Sequence, residues 1–189
     1  MAKSFYSWNW VQSRVTEEKL NGCVATGTSA KKEVIHWRVP GPENPPETKE
    51  GEVIVFVDYL SRGFGPPGSK NFRDMLHFLQ LHPQDIGPNS VSTICNFQVF
   101  CEAYLQEEPT VELFRDFYYL NRRTEFVDGP NTELGGVSIQ KRKDVSFPHA
   151  NHHSHPKDWN QTCFYCRDTS PAGENPLPGY RAHRLSSTH

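Results

Sequence analysis

The apolar positions of this chain change period along its length, and each period predicts an element. In "SKNFRDMLHFLQL", Phe72, Met75, Leu76 and Leu79 recur at helical steps, opposed by Lys70, Arg73, Asp74, His77 and Gln80, with Ser69 placed to cap. This pattern is an amphipathic helix with a polar outer face. After the break from Pro83 to Pro88, "SVSTICNFQVFCEAYL" carries Val91, Ile94, Cys95, Phe97, Cys101, Tyr104 and Leu105 and leaves little polar face. With Asn89 as its cap, it is expected to be the most buried helix. "TVELFRDFYYLNRR" begins at a Thr110 cap and turns Leu113, Phe114, Phe117 and Leu120 inward as a further helix. Near the start, "RVTEEKLNGCVATG" offers Thr16 as cap, Glu17 and Glu18 where the helix dipole favours acids, and Gly22 as stop, which predicts a short helix.

Other stretches carry the strand period or none. "EVIVFVDYLSRGFG" fits a buried strand, yet Val53, Phe56, Val57, Leu60 and Phe64 also share one helical face, and the helix is the preferred reading. Beyond Gly129, Val137 and Ile139 alternate with Ser138 and Gln140 as in a half-buried strand, and "TCFYCRD" is a second strand candidate. From Gly27 to Gly51 the chain is polar and proline-rich and reads as a long loop. From Ser170 onward Pro, Gly and Asn dominate. The expected architecture is α+β: a single, mainly helical domain with a small antiparallel sheet in the C-terminal third. Residues 1–7 form an N-terminal extension, 8–169 the domain, and 170–189 a Pro/Gly-rich, partly disordered tail.

Composition narrows the function classes. With 189 residues and 35% hydrophobic positions, the chain can bury a core without staples. Twenty basic against 22 acidic residues, interleaved to a net charge of −2, give no broad basic face of the kind that binds phosphate backbones. Nucleic acid therefore rests on two short runs only, Arg122-Arg123 and Lys141-Arg142-Lys143. No apolar run approaches the roughly 18 residues of a membrane span. Five cysteines without a leading signal segment predict reduced thiols in an intracellular protein, cytoplasmic or nuclear. Residues 1–16 hold Lys3 and Arg14 and no acid, a faint organellar pattern, but Trp8, Trp10 and Val11 read instead as the first packed residues.

Three stretches resemble chemistry. "GFGPPG", Gly63 to Gly68, has the letters of a dinucleotide loop, but such loops aim backbone N–H groups at a pyrophosphate, and Pro66 and Pro67 have none. It reads as a glycine-ended helix followed by a proline-set turn. Asp168-Thr169-Ser170 lacks the glycine of an aspartic-protease triplet, and no nucleophile elbow or paired carboxylates appear, so no catalytic residue is nominated. In "HANHHSHPKDWNQTCFYC", His149, His152, His153 and His155 precede Cys163 and Cys166, and His152, His155, Cys163 and Cys166 make a formal zinc set. Two bulky residues inside the Cys-x-x-Cys favour a strand, on which the two thiols point to opposite faces. The preferred reading is a polar histidine loop leading into an apolar strand, with no metal and no cofactor.

Taken in succession, "SRVTEEKLNGCVATGT", "GEVIVFVDYLSRGFGPPGSKNFRDMLHFLQLHPQDIGPNSV", "FCEAYLQEEPTVELFRDFYYLNRR" and "GGVSIQKR…KDWNQTCFYCRD" resemble the plant domain called the putative gypsy-type transposon domain, over roughly residues 8–181. The resemblance implies a domain from retrotransposon-related coding sequences of grasses, and it carries no catalytic residues over. Its members show apolar residues where this chain has Cys163 and Cys166, and a helix-to-helix turn at "GFGPPG". The expectation is a non-enzymatic, transposon-derived protein acting by contact with another protein, a homologue or a second copy included, as a regulator or antagonist of a related protein. Two alternatives stay open: a nucleic-acid-binding remnant using Arg122, Arg123, Lys141, Arg142 and Lys143, and a zinc-stabilised binding module.

Overall fold

A computed structural model of the chain describes residues 10–122, 134–145 and 157–179. The fold class is the one expected, α+β with helices in the majority and two small antiparallel sheets. Helix α1 spans Glu17–Ala25, and the Thr16 hydroxyl accepts from Lys19 N–H as the cap. It runs through Gly22, which has helical neighbours on both sides; the stop is Gly27, whose φ of +72° turns the chain away. An exposed helical glycine weakens a helix by about 1 kcal/mol without ending it. A second short helix, α2 (Lys32–Ile35), interrupts the long loop and delivers Ile35 and Trp37 to the core.

The helix expected over "EVIVFVDYL" is corrected. Glu52–Phe56 is strand β1, and only Val57–Leu60 turns helical, as α3. Val53 to Phe56 are buried consecutively, which a strand covered on both faces requires, and their backbone groups are paired with the strand β4 (Cys163–Arg167). That ladder runs antiparallel from Glu52 opposite Arg167 to Phe56 opposite Cys163, without a bulge.

Helix α4 (Lys70–Phe78) is capped as expected, Ser69 Oγ accepting from Phe72 N–H, and buries Phe72, Met75 and Leu76. Arg73, expected on the polar face, is 3% exposed. Helix α5 (Pro88–Phe100) starts two residues earlier than expected, with Gly87 at the cap and Pro88 at the first helical position, where a missing N–H costs nothing. Val91, Ile94 and Phe97 are fully buried. The helix then passes into one π-helical turn, Cys101–Leu105. A π turn shifts the phase of a helix, so Tyr104 and Leu105, expected inside, are exposed.

Helix α6 (Val111–Phe117) has its Thr110 cap, but Tyr118–Arg122, expected as its continuation, is strand β2. It pairs antiparallel with β3 (Val137–Lys141), from Tyr118 opposite Lys141 to Arg122 opposite Val137. Thus the two strands expected in the C-terminal third are present, and each takes its partner from earlier in the chain. The β2–β3 sheet docks on α5 through Ser90, whose hydroxyl accepts from Ile139 N–H at 3.1 Å. An aromatic core is centred on Phe56, against which Trp10 stacks and Trp159 packs edge-on, with Tyr59 beside Phe56 and Trp159.

Residues 170–179, the described part of the expected tail, hold no helix or strand but are fastened along α4. Leu177 is buried, its N–H donating to Asp168 Oδ2, while Arg73 donates to Glu174 and to the Asn175 carbonyl. Asn175 Nδ2 donates to Asp74, and the rings of His77 and His82 bond the carbonyls of Pro176 and Gly179. A segment poor in apolar residues is held here by side chains of a helix far away in sequence.

Candidate functional site

The Cys-x-x-Cys lies wholly within β4. Because the ladder to β1 is unbroken, alternation puts Cys163 and Cys166 on opposite faces of the sheet, and in this arrangement they cannot share a tetrahedral ion. Both are buried, and burial pushes the Cys163 thiol up to about 11 and that of Cys166 up to about 12. Thiols held up in this way are poor nucleophiles near neutral pH. His149, His152, His153 and His155 lie outside the described residues. Beside the strand, the Arg38 guanidinium sits 3.8 Å over the ring of Tyr165 and pairs with Glu52 at 2.7 Å, closing that face with cation and aromatic.

"GFGPPG" is the turn between α3 and α4, as the resemblance implies. Gly63 (φ +90°) and Gly68 (φ +89°) both take the left-handed conformation, and Arg73 donates to the Gly68 carbonyl. A groove of about 600 Å³ lies between this turn and α5. Its polar lining includes Arg62, Ser69, Ser92 and Asn96, with no histidine or carboxylate, and Cys95, whose thiol burial pushes up to about 12. Ser69 donates to the Gln98 side chain rather than to a base. The lining therefore offers no nucleophile paired with a proton acceptor. Asp168 is likewise occupied, accepting from the N–H and hydroxyl of Ser170 and from Leu177 N–H.

The two basic runs are not brought together. Lys141 stands opposite Tyr118 at one end of the β2–β3 ladder, and Arg122 stands opposite Val137 at the other, about 13 Å along the strand at the usual rise. Lys141 and Lys143 are exposed. Arg142, exposed as well, is bonded back to the chain: its N–H donates to the Phe117 carbonyl and its Nε to the Arg115 carbonyl, both at 2.8 Å. Arg123 lies outside the described residues.

What Arg142 joins is a second groove, of about 440 Å³, between the C-terminal end of α4 and β2. Phe78, Leu79, Arg115, Tyr119, Leu120 and Arg142 line it, and no carboxylate does. Phe78 is 50% exposed and Tyr119 40%, an unusual outlay of aromatic surface to water. The Arg115 guanidinium stands 5.7 Å from the Phe78 ring centre, and Tyr119 is held upright by its hydroxyl donating to Gln140 Oε1 at 2.7 Å. The local sequence explains the arrangement. Phe78 stands off the stripe of Phe72, Met75, Leu76 and Leu79, so burying that stripe turns it out. In β2, alternation sends Tyr118 and Leu120 toward the core side and Tyr119 to the open face.

Reading the sequence did not nominate this groove. Two signals for it exist: an aromatic residue off the apolar stripe of an amphipathic helix, and a Tyr-Tyr pair where the chain changes from helix to strand. Both become legible only once β2 is known to be a strand.

Residues 53–122 match the family described as putative gypsy type transposon. The match is narrower than the 8–181 of the resemblance and covers β1 through β2, so it contains most of the groove's lining and excludes β3 and β4. No curated protein and no solved structure matches the chain.

Proposed function

We propose that this chain, which carries a gypsy-type transposon-related segment over residues 53–122, works without catalysis, by contact with another protein through the groove beside β2. The observation that carries the reading is the half-exposed pair Phe78 and Tyr119, set beside Leu120 and two arginines with no carboxylate among them. Exposed aromatics with arginine are what protein contacts are made from, and rigid rings cost little entropy to dock. The groove between the "GFGPPG" turn and α5 is lined by no histidine and no carboxylate. Among the described residues no helix is long and apolar enough to cross a membrane. The biological role we propose is regulation or antagonism of a related protein.

The test is affinity capture with the intact chain beside two variants, Phe78→Ala and Arg115→Glu. Both positions are on the surface, so circular dichroism and thermal melting should match the parent. A partner retained by the parent and lost from both variants supports the reading. A partner retained equally by all three, or salt-sensitive retention on heparin that Lys141→Glu and Lys143→Glu abolish, overturns it, the second in favour of nucleic acid.

A further inference from the structure

The groove has one wall made of backbone. Arg142 N–H donates to the Phe117 carbonyl, whereas Ile139 N–H turns away from β2 to Ser90. In an antiparallel ladder the bonded and non-bonded pairs alternate, so Phe117–Arg142, Tyr119–Gln140 and Asn121–Ser138 face each other with their polar groups, and Leu120–Ile139 does not. The N–H and C=O of Leu120 therefore point out of the sheet, on the side away from β3. Among the described residues no strand pairs with that side, and none takes up these two groups.

An open edge beside exposed aromatics is a template for an added strand. The charge around it selects the occupant. Arg115 and Arg142 stand at the Tyr118 end, joined through Arg142 Nε and the Arg115 carbonyl, and neither meets a carboxylate among the described residues. Exposed Lys141 stands across the ladder from Tyr118 and Lys143 follows. A second copy docked edge to edge would bring these cations against their own likeness, which is destabilising across a strand pair. An acidic segment would meet them favourably.

We infer that the β2 edge accepts an extended acidic peptide segment of a partner protein as a third strand. A residue of that segment exchanges both backbone bonds with Leu120 and lays an apolar side chain beside Leu120 and Phe78. Two positions on, toward the Tyr118 end and on the same face, a carboxylate meets Arg115, the guanidinium that stands against Phe78. The ligand thus has an apolar residue and a Glu or Asp separated by one residue. This rests on the groove being a protein-contact site, and it adds the conformation and charge of what binds.

The probe is a labelled heptapeptide of threonines with Val at its centre and Glu two positions on, followed by fluorescence anisotropy against the intact chain. Saturable binding is expected, and N-methylation of the Val nitrogen should weaken it about tenfold, the equivalent of one or two lost hydrogen bonds. Changing the Glu to Lys, or making Arg115→Glu on the protein, should weaken it by at least as much, and the Leu120 amide should become protected from hydrogen exchange. Absence of saturable binding by this peptide overturns the inference. Binding that Phe78→Ala abolishes but N-methylation leaves unchanged also overturns it, because the occupant is then not a strand, while the groove remains a contact site. Equal binding of the Glu and Lys peptides removes the charge selection. If the chain instead dimerises through this edge, with Leu120 protected in a concentration-dependent way, the occupant is a second copy and the inference fails.

Discussion

Replacing Arg73 by Met should cost the protein about 2–4 kcal/mol, although the sequence places this residue on the outward face of a helix. Arg73 is 3% exposed and spends its guanidinium on three partners: the Gly68 carbonyl in the turn before α4, the Asn175 carbonyl at 2.7 Å, and the Glu174 carboxylate. A hydrogen bond involving an ionised group is worth about 1.5–3 kcal/mol net. Three such bonds do not sum, because removing the guanidinium also removes its burial cost, and Glu174, about one-third exposed, recovers water. The two carbonyls are left short of a donor, and this sets the range given. For a domain of this size it lowers the midpoint of thermal melting by about 4–16 °C. Lys at the same position reaches fewer of the three acceptors and lacks the planar fork, so Arg73→Lys should fall near the Met variant and well below the parent. Urea titration gives the stability, and limited proteolysis reports whether residues 170–179 come loose. If the Met variant melts within 2 °C of the parent and 170–179 stays protected, Arg73 does not fasten the segment, and the account of this strap is wrong.

Other substitutions probe the core and the turn. Tyr59→Phe removes a hydroxyl that lies 2.6 Å from the Ile86 carbonyl and 2.8 Å from that of Pro83, and should cost about 1–2 kcal/mol by urea titration, with unchanged near-ultraviolet ellipticity from Trp159. Gly68→Ala sets a Cβ 2.9 Å from the Phe64 ring at a φ of +89° and should lower the urea midpoint by the equivalent of about 1–3 kcal/mol, whereas Gly65→Ala, with open space around it, should leave it nearly unchanged. Burial holds the thiols of Cys163 at about 11 and of Cys95 and Cys166 at about 12, against an ordinary value of 9.0. Between pH 9 and 12 the unfolded chain loses protons that the native chain keeps, so their contribution is complete below pH 9 and declines as pH rises through this window. Urea midpoints at pH 8, 9 and 10 should fall accordingly, with a shallower slope in a triple Cys→Ala variant, and thiol reagents at pH 8 should leave Cys163 and Cys166 unmodified until urea is added.

Much of the helical part could be read from local pattern. Ser69 and Thr110 cap the helices they precede, Thr16 caps α1, and the stripe of Phe72, Met75 and Leu76 is buried as its spacing requires. In each case the deciding interaction lies within one or two turns. Where the period was shared by two structures, pattern alone chose badly. Val53 to Phe56 satisfies both a helical face and a buried strand, and the strand wins because β4, more than a hundred residues on, offers a complete ladder. The same holds for Tyr118 to Arg122, which continues the α6 period but pairs with β3. The candidate groove was hidden for this reason: with β2 read as helix, Tyr119 has no open face and Leu120 no free edge.

The sequence by itself determined the α+β class, the helix caps, the "GFGPPG" turn and the strand character around Cys163 and Cys166, since each follows from spacing, from φ preference or from a missing N–H in the residues concerned. Tertiary structure alone decided which face of β4 each thiol occupies in the core, why a charged residue on α4 is buried, and where arginines and aromatics gather without a carboxylate. Those outcomes depend on partners distant in the chain, and the backbone hydrogen bonds that select them are the same whatever the side chains that carry them.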